Sequence, residues 1–190
     1  MKFTGLLASG LVSAGISMAA PVDDRFPDSG PFKMMALAYE QPIHYAYVDV
    51  SGGFFYIYRD TNSTCGSDEP VLDGPNDRGI LTTYGDGKQN TQEAYVNIGG
   101  AAGGIFSLAP SQDPATTPDS VTDHFTRVAG PDISQLYYDG GNWLACPTEI
   151  DGQYLVYAEK AWSHKEGKDK CIPFEIRTDK VESPKNCEYF

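Results

Sequence analysis

The sequence predicts an all-β protein, a single-domain antiparallel β-sandwich or barrel closed by two disulfides. Three observations carry that expectation. Short segments rich in β-branched and aromatic residues recur along the chain, with the alternation expected of half-buried strands. Clusters of Gly, Pro, Asp, Asn and Ser separate them at intervals of roughly ten residues, the spacing of sandwiches and barrels. No stretch of about twelve residues sustains the 3.6-residue apolar period of an amphipathic helix.

The first strand expected is Met34-Met35-Ala36-Leu37-Ala38-Tyr39, apolar and flanked by Pro31 and Pro42. Ile43 to Val50 follows, with Ile43, Tyr45 and Tyr47 on one face and Val48 and Val50 on the other. Ser51-Gly52-Gly53 is turn material, because glycine takes positive φ without steric cost. Phe54 to Tyr58 then completes a β-hairpin. Residues 59–78 read as a loop rich in Asp, Gly, Pro, Ser and Thr, and Ile80 to Tyr84 as a strand. Glu93 to Ile98 alternates around Tyr95 and Val96, and residues 99–104, Gly-Gly-Ala-Ala-Gly-Gly, turn the chain into Ile105 to Leu108. That glycine run lacks the G-x-G-x-x-G spacing and a following helix, so it is not read as a phosphate cradle. Residues 109–120 form a Pro/Thr/Ser-rich loop. Val121 to Val128, Ile133 to Tyr138, Trp143 to Pro147, Tyr154 to Ala158 and Ile172 to Ile176 are the remaining strands. A turn at Asp139-Gly140-Gly141-Asn142 and a charged loop at 164–170 lie among them.

The amino terminus sets the compartment. Lys2, an apolar run from Gly5 to Met18, and the small residues of Ser17-Met18-Ala19 are the three parts of a cleavable secretory signal. The run is too short for a bilayer-spanning helix. The expected organisation is a signal peptide at 1–19 cut after Ala19, a flexible leader at 20–33 and a β-rich domain at 34–190. The carboxyl end carries no hydrophobic tail for a lipid anchor.

Charge narrows the partners. The formal net charge is -12. Residues 20–158 hold 19 acidic and 6 basic residues, whereas 159–190 hold 7 of each. Such an acidic body disfavours nucleic acid and anionic membranes, which require clustered Lys or Arg. Cys65, Cys146, Cys171 and Cys187 are an even set in an exported chain and read as two disulfides, with three connectivities open. No C-x-x-C pair and no close Cys/His spacing argues for zinc, and no EF-hand loop for calcium; no metal and no cofactor is expected.

The residues that could carry chemistry point away from catalysis. His44, His124 and His164 have no G-x-S-x-G nucleophile to serve, and His44 reads as a packed, hydrogen-bonded structural histidine. A glycosidase would need two carboxylates held across a cleft, and the sequence singles out no pair among 26. The 12 Tyr, 9 Phe and 2 Trp serve core and hairpin packing first, with sugar stacking by exposed aromatics as the alternative. Asn62-Ser63-Thr64 is an N-glycosylation sequon in a polar loop.

Taken in order, several segments give the chain a familiar look. Met1-Lys2-Phe3-Thr4 with Ala19-Ala20-Pro21, Met34-Met35-Ala36-Leu37, Gln41-Pro42-Ile43-His44-Tyr45, Gly52-Gly53-Phe54-Phe55-Tyr56, Trp143-Leu144-Ala145-Cys146-Pro147 and Tyr154 to Ala158 together resemble the phiA-type cell wall proteins of filamentous fungi, small secreted proteins also met as IgE-binding antigens. Gly79 to Tyr95 and the Lys-rich end with Cys187 depart from that pattern. The resemblance implies a secreted, wall-associated protein linked to conidiophore and phialide development, with no catalytic residues to carry over and a cell wall polysaccharide as partner. It also implies the pairing Cys146–Cys171 and Cys65–Cys187, with two other connectivities still open.

Overall fold

The computed structural model describes residues 30–85, 91–110, 118–130, 132–164 and 166–190. The signal peptide, the cleavage point at Ala19 and all but the end of the leader therefore lie outside the described residues. The strands, in chain order, are β1 (Phe32–Leu37), β2 (Val48–Ser51), β3 (Phe54–Ile57), β4 (Leu72–Asp73), β5 (Thr82–Thr83), β6 (Ala94–Asn97), β7 (Phe106–Leu108), β8 (Ser120–Val121), β9 (Phe125–Ala129), β10 (Ser134–Tyr138), β11 (Trp143–Pro147), β12 (Tyr154–Ala158) and β13 (Ile172–Lys180). Every ladder is antiparallel. Among the described residues the only helical turns are three short 3-10 segments.

β13 organises the molecule. Along one side it pairs with β1, from Phe32 opposite Lys180 to Leu37 opposite Glu175. Along the other it pairs first with β11, Trp143 facing Phe174, and then with β10, Leu136 facing Ile176. Between those two contacts the chain leaves β13 through the turn at Asp139-Gly140, both at positive φ. On either side of that excursion the paired strands diverge. β10 continues into β9, and β1 into β4 and β5, to form one sheet. β11 continues through β12, β3, β7, β6 and β8, with β2 on the other side of β3, to form the second. Strands that pass from one sheet to another at a bend are how such corners are made.

The two sheets meet through aromatic side chains. Phe106 of the second sheet stacks on Phe55 at 3.9 Å, touches Trp143 at 4.8 Å and reaches Phe125 of the first sheet at 5.7 Å. Phe125 packs edge-on against Tyr138. Trp143 is fully buried, and its indole N–H donates to the Leu136 carbonyl at 2.8 Å. Nine aromatics of the described residues are buried, including Phe55, Phe106, Phe125 and Trp143, as packing would demand.

The β2–β3 hairpin forms as expected. Gly52 and Gly53 both have positive φ, the type I′ geometry that matches strand twist. Four expectations need correction. Residues 43–46 are a turn, not the start of a strand: Pro42 has no N–H to give to a ladder, and the Gln41 carbonyl accepts from His44 N–H while Ile43 accepts from Ala46. Ile43 is buried while Tyr45 is 60% exposed, so they do not share a face. β4 lies inside the stretch read as loop, because two residues are too few to show a period. Residues 121–128 split into β8 and β9 at a bend where His124 has φ of 70°. β13 runs on to Lys180, its inward residues Phe174, Ile176 and Thr178 alternating with polar ones.

Candidate functional site

The surface that stands apart from the core is an open groove of about 650 Å³ beside the 39–45 turn, within the size range of ligand sites. Leu37, Tyr39, His44 and Tyr45 form one wall, and Phe174 and Glu175 of β13 lie along it. The turn is held by main-chain bonds. Ala36 N–H donates to the Ala46 carbonyl at 2.8 Å and Tyr45 N–H to the Ala36 carbonyl at 2.9 Å. His44 Nδ1 accepts from the Ala38 N–H at 3.1 Å, which fixes the orientation of the ring. His44 is the hydrogen-bonded structural residue expected, seated in a turn.

This anchoring pushes tyrosines outward. Tyr39 is 80% and Tyr45 60% exposed. His44 sits between them, edge-on to Tyr39 at 6.3 Å and tilted over Tyr45 at 3.9 Å. Tyr58, half exposed, donates its hydroxyl to the Pro42 carbonyl at 2.5 Å and braces the turn. Glu40, Tyr45 and Tyr58 all have φ near +60°, a left-handed conformation that costs non-glycine residues energy and gathers where structure serves a function.

The polar residues lining the groove besides the turn are Asn142, Glu175 and Arg177, and two of them are held by neighbours outside it. Gln135 Nε2 donates to Glu175 Oε2 at 2.5 Å, and Tyr137 donates to Gln135 Oε1 at 2.6 Å. Arg177 Nε is committed to Asp179 at 2.6 Å. Exposed tyrosines beside one carboxylate and one guanidinium, opposite charges that leave the lining without net charge, suit a neutral, hydroxyl-rich ligand. Glu175 is the one carboxylate among the lining residues.

The tryptophans do not join this surface. Trp143 is in the core, and Trp162 is half-buried with its N–H tied to the His164 carbonyl at 3.0 Å. Among the residues lining the groove, the exposed aromatic rings are Tyr39 and Tyr45; the sequence shows Pro42 and the neighbouring tyrosines but not which of them point out. His124 lies elsewhere, 3.4 Å from Asp123 and 3.7 Å from Asp139. Among the described residues no group of three or more His, Cys, Asp or Glu is placed to hold a metal ion.

A second feature closes the far side of the molecule. Cys65 is bonded to Cys187 and Cys146 to Cys171, the connectivity implied by the resemblance. The first bridge pins residues 185–190 across the loop that carries Asn62. Tyr189 is buried, and its N–H donates to Gln92 Oε1 at 2.7 Å. Gln92 Nε2 returns bonds to the carbonyls of Tyr189 and Ala109. The Tyr189 hydroxyl accepts from Val71 N–H at 3.0 Å, and burial raises its pKa. Sequence reasoning missed Gln92, since a lone polar residue before a strand carries no signal of burial. Near this strap Asp49 is half-buried and accepts from Thr61 Oγ1 at 2.9 Å. Burial, opposed by that bond and helped by nearby Glu69 and Asp60, pushes its pKa up to about 6.

Comparison with known proteins adds the family. The model of the PhiA-like secreted protein family matches residues 32–190. A protein of Emericella nidulans described as "Cell wall protein phiA" is 27% identical over 185 residues, covering 96% of this chain and 98% of the relative. A "Cell wall protein phiA" of Aspergillus fumigatus is 29% identical over 56 residues, 30% of each chain. No solved structure matches.

Proposed function

The chain belongs to the PhiA-like secreted protein family, and from that premise we propose that it acts as a non-enzymatic component of the fungal cell wall, contributing to wall organisation and to conidiophore and phialide development. It is a secreted, wall-associated protein. The observation that carries the reading is the near end-to-end match to a cell wall protein. Cleavage after Ala19 and an N-glycan on the exposed Asn62 belong to the same reading. Fractionation of culture filtrate, detergent-extracted wall and alkali-extracted wall tests it. The protein is expected in the wall fractions and filtrate, and recovery mainly from cytosol, with Met1 intact and free thiols, would refute it.

One observation favours a further reading, direct contact with wall polysaccharide: Tyr39 and Tyr45 present their rings beside the Gln135–Glu175 pair. Flat sugar faces would stack on those rings while hydroxyls meet the amide and carboxylate. Retention on insoluble β-glucan and chitin should be saturable and should weaken about tenfold in Tyr39→Ala, the effect of losing roughly one aromatic contact. Retention that ignores the substitution would leave the wall role standing and remove the groove from it.

A further inference from the structure

The sequon Asn62-Ser63-Thr64 is exposed at its asparagine, yet its backbone is not free. Asn62 N–H donates to the Val50 carbonyl at 2.9 Å, and the Asn62 carbonyl accepts from Phe190 N–H at 2.9 Å. Thr64 N–H donates to the Glu188 carbonyl at 2.9 Å, and Thr64 Oγ1 accepts from Glu188 N–H at 3.0 Å. Ser63 bridges to Tyr189 on the strap and folds its hydroxyl onto the Gly66 carbonyl and the Cys65 N–H. The next residue, Cys65, is the one bonded to Cys187. The triplet is therefore one side of a small antiparallel pairing, with the strap as the other side and a disulfide at its end.

Transfer of an oligosaccharide requires more than an exposed amide. The Asn62 Nδ2–C1 bond forms as the C1–O bond to a lipid pyrophosphate donor breaks, and one amide proton is lost. The transferase must grip the triplet's backbone and read the threonine hydroxyl, and the strap occupies both. We propose that Asn62 is glycosylated only before residues 185–190 dock, so that closure of the Cys65–Cys187 bridge ends the window for the modification. Closure removes two electrons and two protons from the thiols, taken up by the disulfide of a thiol oxidoreductase that is thereby reduced. The proposal rests on the reading of the chain as a secreted glycoprotein. The fold itself supplies the delay: Cys187 follows Cys65 by 122 residues, roughly 6–24 s of synthesis, during which the sequon has no strap to pair with.

The test uses the full chain in microsomes. Synthesis proceeds either with the lipid-linked donor present throughout, or with the donor withheld until the oxidised chain has folded and then restored. Endoglycosidase-sensitive mobility reads occupancy. With the donor present throughout, Asn62 is occupied, and Asn62→Gln removes the shift. After folding, occupancy falls at least about tenfold, because several bonds must open together to free the triplet. Cys187→Ser restores late occupancy. Glu188→Pro, which keeps the bridge but removes the N–H donated to Thr64, restores it in part and does not depend on the fate of the cysteine variant. Full late occupancy of the oxidised wild type, or a Glu188→Pro chain as refractory as wild type, overturns the proposal. No glycan on any chain under any condition overturns it too, by sinking the glycosylation reading beneath it.

Discussion

The turn at 39–45 and the strap at 185–190 are built from similar materials, a few backbone hydrogen bonds and a tyrosine on irregular chain, yet they present those tyrosines in opposite ways. Tyr189 is 4% exposed, with its backbone, ring and hydroxyl all engaged, and a disulfide lies two positions away. Tyr39 and Tyr45 stand in solvent, although the turn beneath them is firmly bonded to β1. In the strap the bonds serve to bury the side chain. In the turn they serve to hold it out. If the turn contacts wall polysaccharide as proposed, stability belongs to one end and recognition to the other, and substitutions at the two places should separate cleanly in what they change.

The largest effect belongs to the strap. The bridge Cys65–Cys187 spans 122 residues and Cys146–Cys171 spans 25. Loop-closure entropy of the unfolded chain assigns about 5 kcal/mol to the first and about 3.5 to the second. Replacing both cysteines of a bridge by serine should therefore lower the denaturant midpoint more for 65/187 than for 146/171. Equal losses, or the reverse order, would break the comparison by showing that the strap does not dominate stability.

How much of this could be read in advance follows the same division. The sheet was legible where side chains report burial by alternation, as in β6, where a short apolar run marks a strand, as in β11, and where Gly52-Gly53 dictates a turn. It was illegible where tertiary contacts decide. The alternation of Ile43, Tyr45 and Tyr47 imitates a strand, but Pro42 and the bonds from Ala36 and Ala38 make it a turn. The far half of β13 hides behind Arg177, Asp179 and Lys180, whose intervening Thr178 is buried. The groove needed those same corrections. Its tyrosines were visible as candidates, but the partition of aromatics between core and surface depends on the turn, and Trp143 went to the core. Gln92, which ties down Tyr189 from a distance of 97 residues in sequence, leaves no trace in local pattern.

An intermediate effect lies at the base of the strap, in its dependence on pH. The raised pKa of Asp49, about 6, means that the folded state holds a proton over the window from about 4 to 6 in which the unfolded carboxyl is ionised. Stability then rises as pH falls through that window, and is lost as pH climbs back through about 6, above which both states are ionised. A rise of that size would correspond to about 3 kcal/mol if Asp49 were wholly buried; because the group is only half-buried and solvent screens it, about 1 kcal/mol is the expected size. The acidic chain also loses self-repulsion on acidification, so the comparison must be made against Asp49→Asn. Wild type should gain more stability between pH 7.5 and pH 4.5 than the variant does. An identical gain in both would place the effect in the overall charge and not in this carboxyl.

The smallest effect on stability, and the sharpest test of the division, is at Tyr45. Its φ of 65° costs a residue with a Cβ about 1–2 kcal/mol, whereas glycine adopts that conformation freely but loses about 0.5–1 kcal/mol more chain entropy on folding. The two terms nearly offset, and the Tyr45 N–H bond to the Ala36 carbonyl survives in either residue. Tyr45→Gly should thus shift unfolding free energy by no more than about 1 kcal/mol, while retention on insoluble glucan or chitin falls about tenfold. That outcome would support the proposed contact of the Tyr45 ring with polysaccharide, since the backbone is served about as well without a side chain. If the variant instead unfolds readily and still binds, the ring is part of the turn's own packing, and the groove loses its claim to recognition.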